Sequence, residues 1–175
     1  MKTITIPAAE LYDEMNNEYI YTKETTITIE HSLVSVSKWE AKWEIPFLKT
    51  TMSKEQYIDY IRCMTITQNV DPNIYKVIPN NLLKEINKYI DSKQTATWFN
   101  DNDKKTNRNR IVTSELIYYW MIACEIPFEC QKWHLNRLIT LIRVCQEESK
   151  PSKQMTAKER KALNDARKKK YHTKG

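Results

Sequence analysis

Three residues in the C-terminal half of the chain, Cys124, Cys130 and His134, have types and spacing that could do chemistry. Cys130 and His134 are four residues apart, so a helix would place them on one face, and a turn after Cys124 could bring its thiol close. Structural zinc sites need about four ligands, and His31 or Cys63 would have to supply the missing one. No two cysteines have the Cys-x-x-Cys spacing. We therefore favour packed thiols and a hydrogen-bonded core histidine over a metal site.

The same pair, Cys130 and His134, could act as a nucleophile and its base. Two residues on one helical turn rarely present the open pocket and the oxyanion donors that acyl transfer needs. We favour a polar staple instead, in which His134 and Arg137 tie their helix to neighbouring loops. The acidic residues are scattered over expected solvent faces, so no catalytic pair of carboxylates is predicted. We predict no enzyme activity, no catalytic residues, no metal and no cofactor.

The composition excludes some classes of nucleotide-binding enzyme. The chain has one glycine among 175 residues, and phosphate-binding loops of the Walker and dinucleotide types each need several. The net charge is +6. Residues 149–175 contain ten basic and two acidic residues, a balance of +8, which leaves eighteen basic and twenty acidic residues, a balance of −2, in the rest of the chain. We therefore expect a basic tail and not a basic surface over the whole fold.

The stretch Ile111–Cys145 predicts two helices folded back on each other, around which we expect the rest of the chain to be organised. Thr113 or Ser114 can cap the first helix. Residues 116–123 are apolar on nearly every face, which is typical of a helix buried on all sides. The proline of Glu125-Ile126-Pro127 predicts a break. Apolar residues then recur at helical spacing, at Leu135, Leu138, Ile139 and Ile142.

The N-terminal region predicts short strands followed by a helix. Residues 2–7 and 19–30 are rich in β-branched residues with a period of two. They could form a self-contained sheet or an arm that docks on a neighbouring subunit. From Ser32, apolar residues recur at helical spacing as far as Trp43, which predicts a helix that ends before Pro46. A continued strand through 33–36 is the alternative.

Local signals predict three more elements in the middle of the chain. Ser53 and Gln56 form a capping-box pattern that opens a helix. Asp71 followed by a proline can cap a short turn. Asn80 or Asn81 begins the next helix.

Aromatic residues outside the expected core are candidate contacts for a partner. The polar connection 92–110 contains two adjacent aromatics, and a loop of that length is either functional or mobile. We expect the pair to anchor the loop to the body, with an exposed binding tip as the alternative. The candidate partner-binding residues are Trp98, Phe99, Trp39 and Trp43.

The tail predicts a basic helix that begins at the capping box of residues 156–159. Few of its residues are apolar, so we expect it to need a partner surface. It could be a solubilising terminus, a protein-binding segment or a weak phosphate contact for nucleic acid, although it has no motif for sequence readout. The candidate contacts are Arg160, Lys161, Arg167, Lys168, Lys169 and Lys170.

Together these patterns predict an α+β fold that is mainly α-helical, with a helical core around an antiparallel hairpin. The predicted division is an N-terminal β-rich arm or small sheet at 1–31, a helical core domain at 32–148 and a basic tail at 149–175. The first residues lack the apolar segment of a signal peptide, so we expect a reducing compartment and free thiols. No run of apolar residues is long enough to predict a membrane span.

Three stretches carry a resemblance to known proteins. They are SLVSVSKWEAKWEIPFL (Ser32–Leu48), ELIYYWMIACEIPFECQKWHLNRLITLIRV (Glu115–Val144) and the ending ERKALNDARKKKYHTKG (Glu159–Gly175). In these stretches, about a third of the chain, the sequence resembles a family of small proteins encoded in the morphogenesis clusters of tailed bacteriophages. The resemblance implies a tail assembly chaperone, and it transfers no catalytic residue.

The resemblance therefore implies a protein that binds a tape-measure or other tail protein during virion morphogenesis, in the host cytoplasm. A tape-measure protein exposes apolar helical stripes until the tail tube encloses it, and a small aromatic-rich helical protein could cover them. One alternative is a permanent structural protein of the tail or head–tail region, located in the virion. A weaker one is a nucleic-acid-binding accessory protein. Association into a homo-oligomer stays open, and no membrane partner is expected.

Overall fold

The computed structural model of the chain describes residues 1–13, 17–99, 111–149 and 157–171. The fold is α+β and mainly α-helical, as predicted. The chain divides into two compact units, Met1–Cys145 and Gln146–Gly175. The predicted boundary after residue 148 lies close to this division, whereas the predicted boundary after residue 31 does not separate compact units.

Four strands form two antiparallel pairs near the N-terminus. Strand β1 (Lys2–Ile6) pairs with β4 (Thr25–Ile29), and β2 (Ala9–Asp13) pairs with β3 (Glu18–Thr22). Pro7 lies between β1 and β2, where its missing N–H interrupts the ladder. The strands in the two predicted regions are confirmed. The sequence analysis missed β2, because its alanine and two acids are poor strand formers.

The β1–β4 pair of strands belongs to the core and is not an arm. Ile4 lies opposite Ile27 in the register, and both are buried together with Ile6 and Ile29. On the other face of the pair, threonine hydroxyls lie opposite one another across the strands. The strands therefore pair within the chain, and the isoleucine face of the β1–β4 pair completes the core shared with the helices.

The described residues also contain six α-helices and three 3₁₀ turns. Within those residues, no helix combines the length and the apolar character that crossing a bilayer would require. The helices are α1 (Leu33–Trp43), α2 (Lys54–Met64), α3 (Asn80–Ile90), α4 (Ser114–Ala123), α5 (Leu135–Glu148) and α6 (Ala157–Tyr171). The turns are Phe47–Lys49, Pro72–Val77 and Phe128–Lys132.

Local capping signals place the starts of α1 and α2 as predicted, whereas the predicted cap of α4 by Thr113 or Ser114 is wrong, because neither side chain caps the helix. Ser32 accepts a hydrogen bond from the Ser35 amide, which confirms that α1 is a helix and not a continued strand. Ser53 and Gln56 form the predicted capping box of α2, and the Asp71 side chain caps the turn that follows it. Each cap satisfies amide groups that a helix leaves without partners at its N-terminus.

Two helices end with a residue in the left-handed region that is not glycine. Glu44 after α1 has φ 54°, and Glu125 after α4 has φ 53°. Asn17, Asn69 and Gln94 also have positive φ. Glycine usually fills such positions because it has no Cβ, and this chain has one glycine.

Helix α1 is the centre of the packing. Leu33, Val36 and Trp39 are fully buried, and α1 is in close backbone contact with both α2 and α4. The two helices predicted within Ile111–Cys145 are present as α4 and α5. The thiol of Cys124, at the end of α4, interacts with that of Cys145 in α5. The expectation that this pair organises the chain is corrected, because α1 has that role.

The prediction that α4 is buried on all sides is wrong. Ile117 and Met121 are fully buried, but Tyr119 and Ile122 are largely exposed. A ten-residue helix at the surface of the core buries one stripe of its residues, so apolar residues on its other side face solvent. Helix α5 follows its prediction more closely, because Leu135, Leu138 and Ile142 are buried and Ile139 is half-buried.

The carboxylate of Glu40 joins three segments of the chain. It lies buried on α1, where Oε1 accepts a hydrogen bond of 2.8 Å from the Phe47 amide and Oε2 accepts one of 2.7 Å from the Ser114 amide. Phe47 is the first residue of a 3₁₀ turn, and Ser114 is the first residue of α4. In both elements, the residue before the start provides no side-chain cap. Glu40 therefore caps both, and negative charge is stabilised at helix N-termini.

Replacing Glu40 tests this bridge. Glu40→Gln keeps the size of the side chain but leaves one buried amide without an acceptor, and the loss of a charged hydrogen bond is expected to lower the free energy of unfolding by roughly 2–4 kcal/mol. Urea unfolding followed by circular dichroism measures the change. The exposed Glu24→Gln is the control and should stay within about 0.5 kcal/mol of the parent. An equally small effect of Glu40→Gln would contradict the bridge.

Candidate functional site

The predicted Cys–His pair does not share a helix, because Cys130 lies in the turn Phe128–Lys132 and α5 begins after His134. His134 is buried just before α5, and its ring packs against His31 and Tyr89. Cys124 instead interacts with Cys145. Partial burial raises the pKa of the Cys124 thiol, and the neighbouring Cys145 raises it further, which disfavours a reactive thiolate. None of the four cysteines forms a disulfide. Within the described residues, no three His, Cys, Asp or Glu side chains are grouped as metal ligands.

Two histidines meet in the core, which the sequence analysis missed. The rings of His31 and His134 lie with their centroids 5.0 Å apart. His31 precedes the cap of α1 and His134 precedes α5, and the amide of Leu135 donates a 2.7 Å hydrogen bond to the His31 carbonyl. In the sequence, each histidine lies just before the start of a helix. That position does not indicate that the two rings are in contact.

A buried hydrogen-bond network surrounds the histidine pair. Nδ1 of His31 lies 2.5 Å from the Tyr60 hydroxyl, and Nε2 of His134 lies 3.1 Å from the Tyr89 carbonyl oxygen. The Tyr89 hydroxyl donates to Oε1 of Glu30 at 2.5 Å. Nδ1 of His134 has no hydrogen-bond partner within the described residues.

Burial keeps both histidines neutral near pH 7. It lowers the pKa of His31 from 6.5 to about 3, with a smaller contribution from His134, and it also lowers the pKa of His134. Burial raises the pKa of Tyr60 and of Tyr89, the latter with help from Glu30. The network therefore holds its protons in place near neutral pH, which suits a structural role rather than general acid–base catalysis.

The four candidate aromatic residues have different environments. Trp39 is fully buried, and its Nε1 donates to the Gln56 carbonyl, so its prediction as a partner contact is wrong. Phe99 lies 3.9 Å below the Arg143 guanidinium, as expected for an anchor, whereas its neighbour Trp98 is 74% exposed. Residues 100–110 of the predicted loop lie outside the described part of the chain.

Trp43, the fourth candidate, lines a groove of about 690 Å³. The groove lies at the end of α1, between α2 on one side and the Pro72–Val77 turn and the start of α3 on the other. This volume is within the range of about 300–1,000 Å³ that is usual for ligand sites. Its apolar lining residues are Trp43, Ile58, Pro72, Tyr75, Ile78 and Leu83.

The polar lining of the groove gives it a positive charge. Asp59 is neutralised, because its carboxylate accepts 2.5 Å and 2.9 Å hydrogen bonds from Lys42 and from the Trp43 indole. The remaining charged lining residues are Lys54, Glu55, Arg62 and Lys76. The three cations among these four form no salt bridge within the described chain.

The groove could not be predicted because four separate elements build it. Trp43 was a candidate through its residue type alone, whereas Arg62 and Lys76 resemble any other exposed cation in the sequence. Only the docking of α2 beside the Pro72–Val77 turn brings these charges to one rim.

The basic tail forms the helix α6, as predicted. Arg160, Lys161, Arg167 and Lys168 are exposed on it. Lys169 and Lys170 lie within the bounds of α6, but their side chains fall outside the described part of the structure. Contact of this helix with nucleic acid or protein stays a prediction.

Comparison with protein-family models, with curated proteins and with solved structures finds no match for this chain.

The histidine pair predicts sensitivity to acid. The pKa of His31 is lower in the folded state than in the unfolded state, so the unfolded chain takes up the proton first, and stability is lost as the pH falls from 6.5 toward 3. Between pH 6.5 and pH 5 the loss is roughly 2 kcal/mol, and His134 acts in the same direction.

Urea unfolding of the parent and of His31→Gln at several pH values measures this loss. Glutamine does not titrate, so His31→Gln should show a shallower fall in unfolding free energy with acid. The control is Lys88→Gln, at an exposed position of α3; a lysine stays protonated throughout this pH range, so this variant should keep the slope of the parent. A parental slope in His31→Gln would mean that other groups cause the sensitivity.

Proposed function

We propose that this protein is an assembly factor that binds an amphipathic helical segment of another protein. The observation that carries the proposal is the groove beside Trp43, which combines an apolar lining with a positive rim. Helix-in-groove recognition uses such a surface, because one face of the helix supplies apolar anchors. The matching helix would place acidic residues beside its anchors.

The shape of the groove favours a helix over a small metabolite. The groove is open to solvent and is bounded by helices. Ile58 of α2 and Leu83 of α3 are among its lining residues. A helix is about 10–12 Å across with its side chains, so only one face of it would enter. Trp43 is preorganised for contact, because Asp59 holds its indole nitrogen.

The charge of the rim determines which helices the groove would prefer. Lys54, Arg62 and Lys76 outnumber Glu55, once Asp59 is paired with Lys42. Complementary charges speed encounter and select among partners more than they add affinity. An acidic helix would therefore be preferred to a basic helix of the same apolar pattern.

The resemblance to tail assembly chaperones supports a partner for this groove. Trp43 lies within Ser32–Leu48, one of the three stretches that carry the resemblance. We propose a tape-measure or other tail protein as the partner, bound transiently through helical stripes before they are enclosed. A permanent place in the virion is the competing proposal, with the same surfaces buried in a fixed interface.

A labelled peptide tests the groove. The probe is a designed helix with leucines on one face and glutamates beside them, and its binding is followed by fluorescence anisotropy. The double variant Arg62→Glu with Lys76→Glu reverses the charge of the rim, so we expect binding to weaken roughly tenfold or more. Raising the salt concentration should also weaken binding to the parent.

The control for charge is the double variant Lys23→Glu with Lys88→Glu. It makes the same change in net charge at two exposed positions that do not line the groove, and it should bind the probe about as well as the parent. Equal weakening in both double variants would show that net charge alone attracts the peptide, and it would overturn the groove as the binding site.

Mass spectrometry of purified particles separates the two proposals about assembly. A chaperone leaves before the particle is complete, so we expect no peptides of this protein in particles that contain the tape-measure protein. The comparison sample is the lysate from which the particles were purified, which should contain it. A fixed copy number per particle would instead favour the structural protein.

A further inference from the structure

Helix α4 exposes an apolar face that continues onto the next turn. Tyr119 is 62% exposed and Ile122, three residues later, is 61% exposed. Phe128, in the following 3₁₀ turn, is 54% exposed and stacks on the half-buried Tyr118 with ring centroids 6.4 Å apart. This α4 face, defined as Tyr118, Tyr119, Ile122 and Phe128, is separate from the groove and shares no residue with it.

Packing among the described residues does not account for the α4 face. The opposite side of α4 carries Ile117 and Met121, which are fully buried and supply the contacts with the core. Single exposed apolar residues are ordinary on protein surfaces, but adjacent ones often mark interaction sites. Aromatic side chains are also enriched at the centres of protein interfaces.

Acidic residues border the α4 face. Glu115, Glu125 and Glu129 are all exposed. Glu115 lies one helical turn before Tyr119, and Glu125 and Glu129 lie on either side of Phe128 in the sequence. No lysine or arginine occurs between Glu115 and Gln131. Lys132, at the end of the turn that holds Phe128, is also exposed, so the charged residues beside the apolar centre are three glutamates against one lysine.

We propose that the α4 face binds a basic amphipathic helix of a partner protein. The apolar stripe of that helix would cover Tyr119, Ile122 and Phe128. Its lysines or arginines would pair with the three glutamates at the edge, where each contact stays solvated and contributes more to selectivity than to affinity. The proposal does not depend on the groove, whose rim has the opposite charge.

The sign of the border argues against other occupants. Phosphates of nucleic acid and anionic lipid headgroups would be repelled by Glu115, Glu125 and Glu129. The basic helix α6 of a second copy has suitable charge, but its only large aliphatic residue is Leu163, with alanines at its other apolar aliphatic positions. One leucine does not fill a face made of four large side chains, which favours a partner with a wider stripe.

The test uses a designed helix with leucines on one face and lysines beside them, labelled for fluorescence anisotropy. The variant Glu125→Lys with Glu129→Lys reverses much of the border, and we expect it to bind the peptide roughly tenfold or more weakly than the parent. The variant Tyr119→Ser with Ile122→Ser removes the apolar centre, and we expect at least a comparable loss. Circular dichroism confirms that each variant is folded.

The matched control is Glu18→Lys with Glu24→Lys, which makes the same charge change at two exposed positions in the N-terminal region. It should bind the peptide within about twofold of the parent, since surface charges beyond a Debye length are largely screened. Parental binding by both α4 variants would overturn the proposal. So would a parent that dimerises in sedimentation while the serine variant stays monomeric, because a second copy would then be the occupant.

Discussion

The buried carboxylate of Glu40 is the interaction on which the arrangement of the helices depends. It reaches across 74 residues of sequence to cap α4 and also caps the turn that begins at Phe47. The end of α1 is thereby fixed against the start of α4. The lining of the groove begins at Lys42, two residues after Glu40, and the α4 face begins one turn after Ser114. One side chain therefore positions the supports of both proposed binding surfaces.

The near-neutral charge outside the basic tail conceals two surfaces of opposite sign. Residues 1–148 carry a balance of −2, which taken alone suggests no preference for charged partners. The groove has around its apolar lining three cations that form no salt bridge within the described chain, and the charged residues beside the α4 face are mainly glutamates. Such a division favours an adaptor that distinguishes two kinds of helix, because each surface repels the helix that suits the other.

Local interactions were predictable from the sequence, and distant ones were not. Ser32 and Ser53 cap helices within three residues of themselves, so their patterns identify α1 and α2. The cap from Glu40, the meeting of His31 with His134 and the rim of the groove join residues far apart in the chain, and no periodicity reports such pairings. Helix α4 shows a related limit: its sequence is apolar all round, but the number of elements available to cover it determines how much of it is buried.

The left-handed residues at the helix ends have a practical consequence. A side chain with a Cβ at positive φ crowds the backbone, which destabilises the fold by roughly 1 kcal/mol at each such position. Glu44→Gly would relieve that crowding after α1, at a residue that belongs to neither surface. A parent stabilised in this way would tolerate more disruptive changes at the interfaces before unfolding. The scarcity of glycine thus offers a way to make a more stable variant of this protein for binding experiments.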